Sequence, residues 1–104
     1  MALKNLQEDV EKWTGQFTPQ YWTPHEIMAR LMEEAGELAR EINHLYGPKK
    51  KKDHEDKREL GDEIADVIFT LCCLANSQKI DLDTCWKNIM DKCYGRDNNR
   101  YQKK

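Results

Sequence analysis

The sequence predicts an all-α, four-helix, bundle-like domain that is completed by oligomerisation. Three observations carry that expectation. Apolar residues recur at helical spacing along four separate stretches. No stretch shows the apolar–polar alternation of a strand. Start and stop signals such as Thr23-Pro24 and Gly47-Pro48 bracket the periodic stretches.

Leu3, Leu6, Val10 and Trp13 mark a first short helix over about Leu3 to Thr14, stopped by Gly15. Pro19 keeps the aromatic stretch from Gln16 to Trp22 out of helix. Thr23 then offers a cap, Pro24 takes the first helical position, and Glu26 completes a capping box. Ile27, Met28, Leu31, Met32, Ala35, Leu38, Ile42 and Leu45 follow on this second helix, about 24–46. The four lysines Lys49 to Lys52 belong to a solvated, charged loop.

A third helix over about 57–77 carries Leu60, Ile64, Val67, Ile68, Leu71 and Leu74 on one stripe, with Phe69 and Cys73 nearly opposite. A helix apolar on two sides is buried on two sides, which in so small a chain points to a subunit interface. The fourth helix starts near Asp81 or Asp83 and carries Leu82, Cys85, Trp86, Ile89 and Cys93 before Gly95. The polar tail 96–104 is loosely held.

With 104 residues, the chain is expected to form a single domain, 1–104. Charged residues make up 35% and apolar residues 38%, a balance that suits amphipathic helices in water. The net charge of −2 provides no basic field for a nucleic-acid polymer. No apolar run reaches membrane-spanning length and Met1 to Asn5 lacks a signal peptide's apolar core, so a cytoplasmic location without membrane contact is expected. Cys72, Cys73, Cys85 and Cys93 form no Cys-x-x-Cys and read as small buried hydrophobes.

The chemistry lies in two acidic pairs, Glu34 with Glu37 and Glu63 with Asp66, each on one helix face. On a wheel with Glu34 at zero, Glu37 falls at about 300° and Leu31, Leu38, Ile42 and Leu45 between about 20° and 80°. With Glu63 at zero, Asp66 falls at about 300°, and Leu60, Val67, Leu71 and Leu74 take the same range, about 20° to 80°. If the stripes pack together, the four carboxylates converge at the edge of the core. Glu59 and Asp62 share the Glu-x-x-Asp spacing, but Asp62 lies farther from the stripe, at about 260°.

Clustered carboxylates repel unless a cation sits among them. An all-oxygen donor set fits magnesium, with manganese as a substitute. Glu8, Glu11, Glu33, Glu41 and Glu55 read instead as a solvated acidic surface.

The run Leu31-Met32-Glu33-Glu34-Ala35-Gly36-Glu37-Leu38-Ala39, followed by Glu63-Ile64-Ala65-Asp66-Val67-Ile68-Phe69 and Leu74-Ala75-Asn76, resembles the MazG-like nucleotide pyrophosphohydrolases. Their pattern is Glu-Glu-x-x-Glu, a spacer (residues 38–62 here) and Glu-x-x-Asp. The resemblance covers nearly the whole chain and is closest to short, stand-alone bacterial members of the YpjD type. It implies the all-α NTP pyrophosphatase fold, assembled as a homodimer or homotetramer. It also implies hydrolysis of a nucleoside triphosphate to monophosphate and pyrophosphate, in control or cleaning of the nucleotide pool.

By the same resemblance Glu34, Glu37, Glu63 and Asp66 are the magnesium ligands. Glu34 and Glu37 are the candidate catalytic residues, with Glu34 expected to orient the attacking water. Lys92 and Arg96 match a Lys-x-x-x-Arg element that holds the triphosphate; the asparagine often found two residues before that lysine is Met90 here. Trp22, with Trp13, Phe17 and Tyr21, lies where related enzymes place aromatics against the base. The wheel sets His44 at about 280°, on Glu37's side of the second helix and within reach of substrate. His25 and His54 are expected to be exposed and Trp86 to be core. The alternative is a non-catalytic oligomeric module that binds a nucleotide or a protein partner; a di-iron carboxylate bundle would need Glu-x-x-His pairs, which are absent.

Overall fold

The computed structural model describes residues 2–48 and 57–104. The lysine run, His54 and Glu55 lie outside the described residues. The elements are α1 (Ala2–Thr14), α2 (Pro24–Tyr46), α3 (Lys57–Ser77) and α4 (Leu82–Tyr94), with no strand among the described residues.

Local chemistry sets most boundaries. Thr23 Oγ1 accepts from Glu26 N at 3.3 Å and Glu26 Oε1 accepts from Thr23 N at 3.0 Å, so the capping box is formed in both directions. Gly47 closes α2 by donating its N–H to Asn43 O at 2.9 Å. Of the two caps expected for α4, Asp81 takes the place: its Oδ1 accepts from Asp83 N at 3.1 Å and its Oδ2 from Thr84 Oγ1 at 2.9 Å.

The end of α3 is a Schellman turn. Ile80 N donates to Ala75 O at 2.8 Å and Lys79 N to Asn76 O at 3.1 Å. Lys79 holds φ at 56°, a left-handed position usually given to glycine.

The packing is hierarchical: α2 lies along α3, α1 packs on α3, and α4 packs on α1. Val10 of α1, Ile27 of α2, and Cys72 and Ala75 of α3 form the small buried core. Gln7 ties the far end together. Its Nε2 donates to Asn76 Oδ1 at 2.9 Å and to Ile80 O at 2.8 Å, while its Oε1 accepts from Leu82 N at 3.0 Å. Asn76 Nδ2 answers by donating to Gln7 O at 2.9 Å and to the Tyr21 hydroxyl at 3.1 Å.

The structure corrects several expectations. The α3 stripe divides: Leu60, Val67 and Leu74 are half-buried, while Ile64, Ile68 and Leu71 stay 45%, 41% and 42% exposed. Phe69, placed on the side expected to meet another subunit, packs against Trp13 of its own chain. Trp86 is not core but 49% exposed, because α4 packs mainly on α1 and leaves its other side uncovered. Cys85 is exposed for the same reason, whereas Cys72 is buried; all four cysteines are free. Glu41 is buried rather than solvated. His25 is exposed, as expected.

Candidate active site

The side-by-side packing of α2 and α3 brings the two acidic pairs together. One carboxylate oxygen from each of Glu34, Glu37, Glu63 and Asp66 lies within 4.8 Å of the others. Glu34 is the deepest at 2% exposure, Glu37 and Glu63 are half-buried, and Asp66 stands at the exposed rim. Their position follows from the phase of the two helices: each pair flanks the half-buried residues that meet the other helix, such as Leu31, Leu38, Leu60 and Val67, so that packing carries the acids to the seam. Glu59 and Asp62 lie outside the cluster.

The electrostatics are unfavourable without a cation. Burial pushes the Glu34 carboxyl above its ordinary value, the Arg30 guanidinium pulls it back, and Glu37 and Asp66 push it up again. Burial likewise raises Glu63, reinforced by Glu37, Asp66 and Glu34. Glu34 Oε2 and Glu63 Oε2 are buried and receive no N–H or O–H bond. Buried oxygens without donors are costly. Protonation or a hard divalent cation would relieve them, and the all-oxygen donor set suits magnesium or manganese.

A cavity of about 500 Å³ opens beside the cluster. Trp13, Phe17 and Trp22 supply aromatic surface, Thr14, Gln20 and Thr70 polar groups, and Glu34 and Asp66 the acidic end. Trp13 and Phe17 pack with ring centroids 4.9 Å apart and planes inclined at 59°. The hydroxyl of Thr14 donates to Val10 O at 2.8 Å and that of Thr70 to Asp66 O at 3.0 Å. Tyr21, also on the wall, donates its hydroxyl to Glu11, and burial raises its pKa. The Cys73 thiol in the same wall is pushed up to about 11 by burial, which leaves it protonated and unreactive near neutrality.

Not every candidate residue meets the cavity. Trp22 lines it. His44 does not: it lies two turns beyond Glu37, about 10 Å along the helix axis, half-buried with Nδ1 lacking a hydrogen-bond partner. Lys92 and Arg96 are exposed on and after α4, outside the cavity, and Arg96 Nε pairs with Asp97 Oδ1 at 3.1 Å.

The sequence reading passed over Arg30. Its guanidinium forms an ion pair with Glu34 and lines the cavity. The signal was present, since Arg30 precedes Glu34 by four residues and the two must share a helix face.

The all-helical fold, shared with solved pyrophosphohydrolases of the MazG type, defines the class: an all-helical nucleotide pyrophosphohydrolase. The MazG nucleotide pyrophosphohydrolase domain matches residues 22–101, and the chain belongs to that family.

Among relatives it is 47% identical over 103 residues to the uncharacterized protein YpjD of Bacillus subtilis (strain 168), covering 99% of this chain and 93% of that one. It is 34% identical over 94 residues to YvdC of the same organism, covering 81% and 89%. The crystal structure of Bacillus subtilis YpjD superposes with a TM-score of 0.81 at 49% identity, over 86% of this chain and 92% of that one. The Bacillus-conserved MazG protein, a nucleotide pyrophosphohydrolase, superposes with a TM-score of 0.76 at 43% identity, over 86% of each chain.

Proposed function

We propose that this protein is a divalent-metal-dependent enzyme that hydrolyses a nucleoside triphosphate to its monophosphate and pyrophosphate, acting on the nucleotide pool. The observation that carries the proposal is the convergence of four carboxylates around two buried, donorless oxygens. Glu34, Glu37, Glu63 and Asp66 would hold magnesium, or manganese in its place. When bound, the ion would offset charge on the phosphates and ease deprotonation of water. Glu34, with Glu37 beside it, would accept a hydrogen bond from the attacking water and aim it at the phosphate adjoining the nucleoside. Trp13, Phe17 and Trp22 would flank the base. Lys92, Arg96 and His44 are proposed to contact the triphosphate chain, which requires a neighbouring copy or the nucleotide itself to bring them in.

The assembly is proposed to be a homodimer or homotetramer. Met28, Met32, Ala35, Ala39, Ile42 and Tyr46 recur alternately every four and three residues along α2, and all are exposed. Ile64, Ile68 and Leu71 make a second such seam on α3. Two unpartnered heptad seams on paired helices are what two copies need to form a larger bundle. The chain's accessible surface of 8415 Å² exceeds the roughly 6,100 Å² of a compact monomer of this mass. Its radius of gyration, 17.0 Å, exceeds the expected value of about 13 Å.

The deciding experiment measures pyrophosphate release from a panel of ribo- and deoxyribonucleoside triphosphates with magnesium and with manganese. Turnover should vanish in Glu37→Ala and Asp66→Ala while helicity persists; full activity in either variant removes the metal-site reading. The positions of Lys92 and Arg96 outside the cavity, with Met90 before them, favour a second reading as a nucleotide-binding module. Calorimetric binding without turnover under every metal would select it.

A further inference from the structure

Arg30 is the only Lys, Arg or His side chain on the cavity wall among the described residues. Its Nη2 forms an ion pair with Glu34 Oε1, and its Nη1 lies 3.8 Å from Glu33 Oε2. The two partners are unlike in freedom: the Arg30 side chain is 43% exposed and that of Glu34 3%. A solvent-facing guanidinium thus rests on the deepest carboxylate of the cluster. Arg30 also sits one turn nearer the start of α2 than Glu34, on the side of Ile27 and Trp22. It stands where the aromatic compartment meets the carboxylates. A nucleotide with its base against the aromatics and its terminal phosphates toward the acids must pass its nucleoside-linked phosphate through that place.

We propose that Arg30 is a substrate-binding residue that exchanges partners: it neutralises Glu34 in the free protein and grips the nucleoside-linked phosphate in the complex. The proposal rests on the function inferred above. A planar guanidinium forms the same forked, charge-assisted bonds to phosphate as to carboxylate, and it stays protonated throughout. Exchange therefore replaces one strong pair by another of the same geometry. The ion pairs Lys87–Asp91, Arg96–Asp97 and Arg100–Asp97 lie along α4 and the tail, away from the cavity. A resting pair with Glu34 also places Arg30 in competition with any divalent cation for the same oxygen.

That competition supplies a test with two readouts of opposite sign. Manganese alone is titrated calorimetrically into wild type, Arg30→Gln and Arg30→Lys. KM and kcat for a good triphosphate are then measured on the same proteins. The proposal expects Arg30→Gln to bind manganese about threefold or more tightly, since a competitor is gone. It expects the same variant to show about a tenfold or larger rise in KM. Arg30→Lys should stay close to wild type for manganese and fall between the two in KM.

Weaker manganese binding in Arg30→Gln would show that Arg30 merely supports Glu34, and an unchanged KM would show that it never meets phosphate; either overturns the proposal. Should Arg30→Gln not fold, Arg30→Lys decides: an unchanged KM overturns the proposal, and a raised KM with wild-type manganese affinity supports it. If wild type turns over no triphosphate, the proposed function falls, while nucleotide affinity by calorimetry replaces KM and still judges Arg30.

Discussion

Trp13 meets Phe69 edge-on, with ring centroids 5.8 Å apart and planes at 73°. The contact joins α1 to the helix that carries Glu63 and Asp66, on the wall of the cavity. Trp13→Ala should remove an aromatic pair contributing about 0.5–1.5 kcal/mol beyond its buried area. It should also raise KM for nucleotides with little change in kcat, because the ring is proposed to flank the base and not the reacting phosphate. Thermal denaturation and steady-state kinetics on one preparation check both effects.

The carboxylate cluster predicts a specific pH behaviour in metal-free buffer. The folded-state pKa of Glu63 is raised above its ordinary 4.5 by burial and by its acidic neighbours. A raised carboxyl favours folding while it holds its proton, and that contribution is lost as pH rises from the ordinary value through the raised one. Glu63→Gln should therefore give a higher Tm than wild type at pH 8, and a flatter Tm profile between pH 5 and 8. Magnesium should stabilise wild type more than the variant. A variant less stable at pH 8 would contradict the repulsion.

Asn76 holds three partners at once: Gln7, the Tyr21 hydroxyl and the Gln7 carbonyl. Asn76→Leu removes three hydrogen bonds, although Gln7 Nε2 keeps Ile80 O and the Tyr21 hydroxyl keeps Glu11, and should cost about 1–3 kcal/mol. Urea denaturation measures the loss. Since Tyr21 lines the cavity, nucleotide affinity should fall as well.

Lys79 occupies a left-handed position with φ of 56°. Lys79→Gly relieves that conformation and should stabilise the protein by about 0.5–1 kcal/mol, since glycine adopts it without steric cost. A lower Tm would contradict the Schellman reading.

Ile68 lies in the middle of the exposed α3 seam. Ile68→Glu should leave the helix content of a single chain intact and shift the proposed oligomer to a monomer in light scattering, because a charge buried between two copies would be costly. Unchanged oligomer size would exclude this seam as the contact.

Local signals were the legible part of the fold. The capping box at Thr23 and Glu26, the break at Gly47 and the periodic stripes depend on residues within a turn of one another, so the boundaries of α2 and α3 could be read directly. The convergence of Glu34, Glu37, Glu63 and Asp66 was legible because both pairs keep one phase relative to an inward stripe. Trp86 was misjudged because the sequence does not say how many sides of α4 find a partner. Ile68 was assigned to one stripe with Val67, though adjacent residues point about 100° apart, and only packing decides which meets α2. The clasp of Gln7 on Asn76 spans 69 residues, and its polar side chains have no periodic signature.

Gln7 connects more than stability. One side chain accepts from the first residue of α4 and donates to the turn that ends α3, while Asn76 links the same point to Tyr21 on the cavity wall. The aromatic wall and the C-terminal helix are thereby one mechanical unit. Loosening either amide would therefore slacken the aromatic wall and the start of α4 together.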